Sequence, residues 1–100
     1  MAAVVALEGE IDLHRSAAVR EQLEPHLAAN EPAVIVDLSG VTYIDSSGLA
    51  VFIEAMQRVQ GYGGRFALCG LSEGVRHIFS IACLDQVFRI FPDSAAALAS

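Results

Sequence analysis

Apolar and polar positions fall along this chain in two rhythms that replace each other in turn. "AAVVALE", Ala2 to Glu8, is an apolar-rich run of strand length, and Gly9 after it reads as a closing turn. "AVIVDL", Ala33 to Leu38, is almost continuously apolar, as a strand covered on both faces must be. "RFALC", Arg65 to Cys69, is a third strand, and "VFRIF", Val87 to Phe91, a fourth with alternating character.

Between these runs the apolar residues recur every three or four positions. Val19, Leu23 and Leu27 share one face of a helix over 16–27, which Pro25 is expected to kink or restart. Leu49, Phe52, Ile53, Met56 and Val59 form a stronger stripe over 49–60. "GYGG", Gly61 to Gly64, then ends that helix with residues that tolerate positive φ. A third stripe, Val75, Ile78, Phe79 and Ala82, follows Ser72, a suitable N-cap. Pro92 is placed to open a short Ala-rich helix. The order β-α-β-α-β-α-β-α predicts one α/β domain over 1–100, built on a small mixed, largely parallel sheet with right-handed crossovers. In such sheets functional groups collect where the carboxyl end of a strand meets the next helix.

Composition restricts what such a domain can do. One hundred residues bury one core. No apolar run approaches the roughly 18 residues of a membrane span, so direct membrane insertion is not expected. The start "MAAVVALEGE" lacks a basic region and already carries Glu8 and Glu10, which argues against a signal peptide and for a cytoplasmic protein. The net charge is −6, there is no lysine, and six arginines are scattered from Arg15 to Arg89. Nucleic acid is therefore disfavoured, while a partner with a basic or mixed surface suits the chain. Cys69 and Cys83 lie in apolar contexts without CxxC spacing and read as buried reduced thiols. Nothing in the pattern calls for a metal or a cofactor, and no Gly-rich phosphate loop with lysine is present.

One stretch breaks the apolar pattern. "IDSSG", Ile44 to Gly48, sets an acid, two hydroxyls and a glycine between an apolar strand and an apolar helix. Asp45, Ser46 or Ser47 can cap the helix, each able to accept from an orphan N–H of the first turn. Capping needs only one of them. A serine nucleophile fits poorly, because the sharp elbow needs Gly-x-Ser-x-Gly, whereas Ile44 and Asp45 stand two positions before Ser46 and Ser47. His14, His26 and His77 read as exposed helix or loop residues rather than as a general base, so no catalytic residue is assigned. The third reading is a phosphate acceptor. A helix N-terminus offers free N–H groups and the positive end of the macrodipole to an added charge of about −1.5 to −2. Asp45 would stand beside that phosphate, with Asp12 expected close in space.

Three blocks carry a resemblance that spans nearly the whole chain. "LEGEIDL" (Leu7 to Leu13), "VIVDLSGVTYIDSSGLAVFIEA" (Val34 to Ala55) and "GGRFALCGLSEGVRHIFSIACLDQVFRIFPD" (Gly63 to Asp93) occur in order and at family-like spacing. Together they make the chain similar to bacterial STAS domains of the anti-sigma factor antagonist type. The resemblance implies a STAS fold and a regulatory phosphoacceptor at Ser46, with Ser47 as a possible second acceptor. It implies an anti-sigma factor serine kinase as partner, which the unphosphorylated form sequesters so that a sigma factor is released, and a PP2C-type phosphatase that resets the switch. The implied docking surface comprises Asp12, Ile44, Asp45, Ser46, Ser47, Gly48 and Leu49, while Phe52 and Met56 belong to the core. The family usually has a further strand before "AVVALEG", and only Met1 to Ala3 precede it here. That implies a short or missing edge strand, a true start that can lie upstream, and an open edge able to pair in a homodimer. Relatives often carry a small or glycine-containing turn where Ala82 and Cys83 stand. Two other uses of a STAS domain stay open: an adaptor on the ATPase of a membrane-transport complex, and a signalling-output module that does not act on a sigma factor.

Overall fold

A computed structural model describes residues 2–100; Met1, the first residue of the expected short edge segment, lies outside the described residues. The strands are β1 (Ala2–Ile11), β2 (Ala33–Ile44), β3 (Arg65–Cys69) and β4 (Arg89–Phe91). They alternate with helices α1 (Ser16–Ala28), α2 (Ser46–Gly61), α3 (Glu73–Ile81) and α4 (Ser94–Ala99). The sheet order is β1-β2-β3-β4 and every pairing is parallel, so the sheet is not mixed. The reason is the connections: a helix separates each strand from the next, and only a crossover of that length returns the chain in the same direction.

Helices α1, α2 and α3 pack on one face of this sheet. Val5, Leu7, Val34, Val36, Leu38, Phe66 and Leu68 from the strands meet Val19, Leu23, Phe52, Val59, Val75 and Phe79 in one buried cluster. On the opposite face α4 sets Ala97 over Ile35, Ala67 and Cys69, with Phe91 at its margin. Covering on both faces is what makes "AVIVDL" continuously apolar. β1 is covered on one face only, so Ala2, Val4, Ala6 and Glu8 alternate outward, and Ala2 and Ala3 form part of β1 itself.

Both long strands exceed the sequence expectation. β1 does not close at Gly9 but runs on to Ile11, and β2 runs past Leu38 to Ile44. Register shifts between Ala6 and Glu8 and between Gly9 and Glu10 each give β2 one extra residue against β1. Gly9 lies at the second shift with φ +78°, a left-handed conformation open to glycine, and β1 continues through it to Ile11. The two bulges bring Ile11 opposite Ile44 at the carboxyl end of the pair.

The three larger helices end alike. Asn30, Gly63 and Cys83 take φ of +52°, +85° and +59° just beyond α1, α2 and α3. In each case the next residue's N–H reaches back to close the last turn: Glu31 to His26, Gly64 to Val59 and Leu84 to Phe79. α1 continues through Pro25 to Ala28 without a restart, because Pro25 sits in the exposed last turn where little depends on the lost N–H. Ala82 is the exposed C-cap of α3 rather than part of its buried stripe. Cys83 is exposed as well, since the left-handed residue after a helix points away from the core, while Cys69 is buried as expected. Pro92 precedes α4 without opening it; Asp93 is the cap, accepting from the Ala96 N–H at 2.8 Å. β4 begins at Arg89 because 85–87 form a turn that sets Phe88 against Phe66 and Phe79.

Candidate docking site around Ser46

The paired residues Ile11 and Ile44 end their strands side by side, and the chain turns outward from both at once. After Ile44 a single residue, Asp45, separates β2 from α2. Asp45 is the N-cap, and its Oδ1 accepts from the Ser47 N–H at 2.9 Å and the Gly48 N–H at 3.2 Å. Its other oxygen, Oδ2, accepts from the Leu13 N–H at 3.2 Å across the gap between the loops. After Ile11, Asp12 makes the matching turn: its Oδ1 accepts from the His14 and Arg15 amides at 3.0 and 3.1 Å. Asp12 and Asp45 are thus neighbours in space, each ordering the entry to one helix.

The expected surface residues separate into two groups. Ser46 is exposed in the first turn of α2, while Asp12, Asp45 and Ser47 are half-buried. Ile44, Gly48 and Leu49 are buried directly behind them. Gly48 explains how α2 can start so close to the sheet. A Cβ there would stand 2.7 Å from Ile11 Cγ2, 2.9 Å from Ile44 Cγ2 and 3.0 Å from the Ile11 carbonyl oxygen. These three residues shape the surface from beneath.

The helix amides do not stand open to a phosphate as the sequence suggests, because the Asp45 carboxylate already holds those of Ser47 and Gly48. A phosphate on Ser46 would instead face solvent beside two carboxylates, Asp12 and Asp45. Among the histidines, His14 and His77 are exposed and His26 is half-buried at the end of α1. Phe52 and Met56 lie in the core as expected.

Of the apolar half of the site, sequence reasoning named Ile44 and Leu49 but missed Leu13, Tyr43, Ile78 and Ile81. An open groove of about 400 Å³ lies beside Ser46, between the start of α2 and the end of α3, and Tyr43, Leu49, Ile78 and Ile81 line it. Tyr43 is 47% exposed and Ile81 71%, and on the loop held by Asp45, Leu13 is 69% exposed. Their signal in the sequence is one of phase. Ile81 falls off the stripe of α3, and Tyr43 is an aromatic at an outward position of β2. Exposed large apolar residues gathered around one polar centre are the kind of patch that marks an interaction surface.

Comparison with known proteins gives the fold its family. Residues 2–97 match the STAS domain. The chain is 36% identical over 86 residues to the anti-sigma-B factor antagonist of Bacillus subtilis, covering 86% of this chain and 78% of that protein. A crystal structure of an anti-sigma factor antagonist from Mycobacterium paratuberculosis superposes with a TM-score of 0.89 at 26% identity, covering 98% of this chain and 83% of that one. The same fold, at a TM-score of 0.81 and 19% identity, occurs in a sulfate transporter family protein from Wolinella succinogenes, over 98% and 82% of the two chains.

Proposed function

The chain belongs to the STAS domain family, and from that premise we propose that it is a cytoplasmic protein-docking switch whose unphosphorylated form sequesters an anti-sigma factor serine kinase. Sequestering the kinase releases a sigma factor; phosphorylation of Ser46 ends the complex, and a PP2C-type phosphatase restores it. As an antagonist the protein works by binding, not by catalysis. One observation carries the reading: the exposed serine sits between paired carboxylates and an open apolar groove, on a turn held by hydrogen bonds.

Physical chemistry connects the parts. The apolar residues Leu13, Tyr43, Ile78 and Ile81 supply the area that drives association. Asp12 and Asp45 supply an acidic rim that suits Arg or Lys on the partner. A phosphate at Ser46 has its neighbouring amides already taken, so it adds bulk and like charge at the centre of the interface. The complex then fails without any need to refold the domain. No helix among the described residues is long and apolar enough to cross a membrane.

Affinity for the host's purified anti-sigma serine kinase tests this directly. Ser46→Ala should bind like wild type and accept no phosphate, whereas Ser46→Asp should bind at least about tenfold more weakly. Equal binding by both variants would instead fit an adaptor on a transport ATPase or an output module independent of phosphate. Transfer of phosphate to Ser47 alone would move the switch by one residue.

A further inference from the structure

We propose that Asp45 is the positioning residue of this site, holding Asp12 and Leu13 at a set place beside Ser46. What the arrangement serves rests on the docking reading above; the arrangement itself rests on geometry. Asp45 brackets Asp12 from both sides. Its backbone N–H donates to the Ile11 carbonyl at 3.1 Å, and its Oδ2 accepts from the Leu13 N–H at 3.2 Å. The second carboxylate oxygen meanwhile holds the Ser47 and Gly48 amides. One side chain therefore ties together two loops that lie 32 residues apart in the chain.

Helix capping accounts for only half of this. A cap needs an oxygen that accepts from its own first turn, and Oδ1 alone provides that. The bond from Oδ2 to Leu13 does nothing to start α2. It acts on the β1–α1 loop, where Asp12 is already turned inward by its bonds to the His14 and Arg15 amides. Leu13 is the residue that most needs such a bond. Its side chain is 69% exposed, so packing contributes little to keeping it in place. Held by its backbone, it offers an apolar anchor at a constant distance from the phosphoacceptor turn. A partner that meets an ordered anchor loses less loop entropy on binding.

Two substitutions separate the clamp from the cap. Asp45→Ser keeps a capping oxygen but is too short to span to Leu13. Asp45→Asn keeps the capping oxygen and turns an NH2 donor toward the Leu13 N–H, where two donors cannot bond. Amide hydrogen exchange on the free protein reads the clamp without any partner. In both variants the Leu13 amide should exchange about tenfold faster, with protection at Ser47 and Gly48 kept. Phosphorylation by the host's purified anti-sigma serine kinase then reads the use of the clamp. KM should rise about five- to tenfold while kcat stays within about twofold, and Leu13→Ala should raise KM with the Ser47 and Gly48 amides untouched. Unchanged exchange at Leu13 in both variants would overturn the clamp. A freed Leu13 with unchanged KM would overturn its part in docking. The docking reading fails by a different result: wild type that accepts no phosphate on either Ser46 or Ser47.

Discussion

Two cysteines of similar sequence context have opposite physical lives in this protein. Cys69 is fully buried on β3, and burial together with Asp37 and Asp93 pushes its thiol up from the ordinary 9.0 to about 11. The folded state therefore keeps a proton that the unfolded state releases from about pH 9 upward. Stability conferred by this thiol is complete below pH 9 and is lost as pH rises through about 11, a decline of up to about 2 kcal/mol. Urea unfolding from pH 8.5 to 11 should show that decline, and it should be shallower in Cys69→Ala. Cys83 is exposed and holds φ +59° at the end of α3, a conformation that costs a side chain about 1 kcal/mol. Cys83→Gly should raise the urea midpoint by the equivalent of about 0.5–1 kcal/mol, net of the glycine's greater entropy when unfolded. Reading both cysteines as buried failed at Cys83 because a local apolar context does not report a helix-terminating φ.

The elements themselves were legible to different depths. Helices α2 and α3 were plain because their stripes repeat through several turns, and Ser72 caps α3 as read, accepting the Val75 N–H at 3.3 Å. The ends of β1 and β2 were not, since nothing local says that a strand will run on through a register shift at Gly9. Glycines at the element scale divide by what surrounds them. At Gly48 in α2 an added Cβ would meet three atoms within 3.0 Å, one of them backbone, so Gly48→Ala should destabilise by about 1–3 kcal/mol despite better helix propensity. Gly74 in α3 has nothing within 4 Å of that place, so Gly74→Ala should stabilise by about 0.5–1 kcal/mol. Thermal unfolding of the pair should give shifts of opposite sign; a stabilised Gly48→Ala would mean that α2 does not start as close to the sheet as its contacts indicate. The ion pairs Arg20–Glu54 and Arg58–Glu24 join α1 to α2 with half-exposed side chains. They fix how the two helices sit side by side more than they stabilise the fold.

At the scale of the whole molecule, charge and surface act together. A net charge of −6 surrounds a site whose polar rim is itself acidic, so the field of the protein steers toward a basic partner. Binding to the proposed kinase partner should slow in association as salt rises from about 50 to about 500 mM, with dissociation much less affected, as stopped-flow measurements can separate. A salt-independent association rate would place the driving force in the apolar groove alone. The sequence by itself determined the α/β class, the helix stripes, the strand covered on both faces and the singular polar turn at "IDSSG". These follow from local periodicity and from residue types whose preferences act within a few positions. Only the tertiary structure decided that the sheet is wholly parallel, that two bulges align Ile11 with Ile44, and that Asp45 reaches Leu13. It alone placed Tyr43, Ile78 and Ile81 around one groove. Register and contact between distant segments depend on how the packed core settles, and no short window of sequence carries that information.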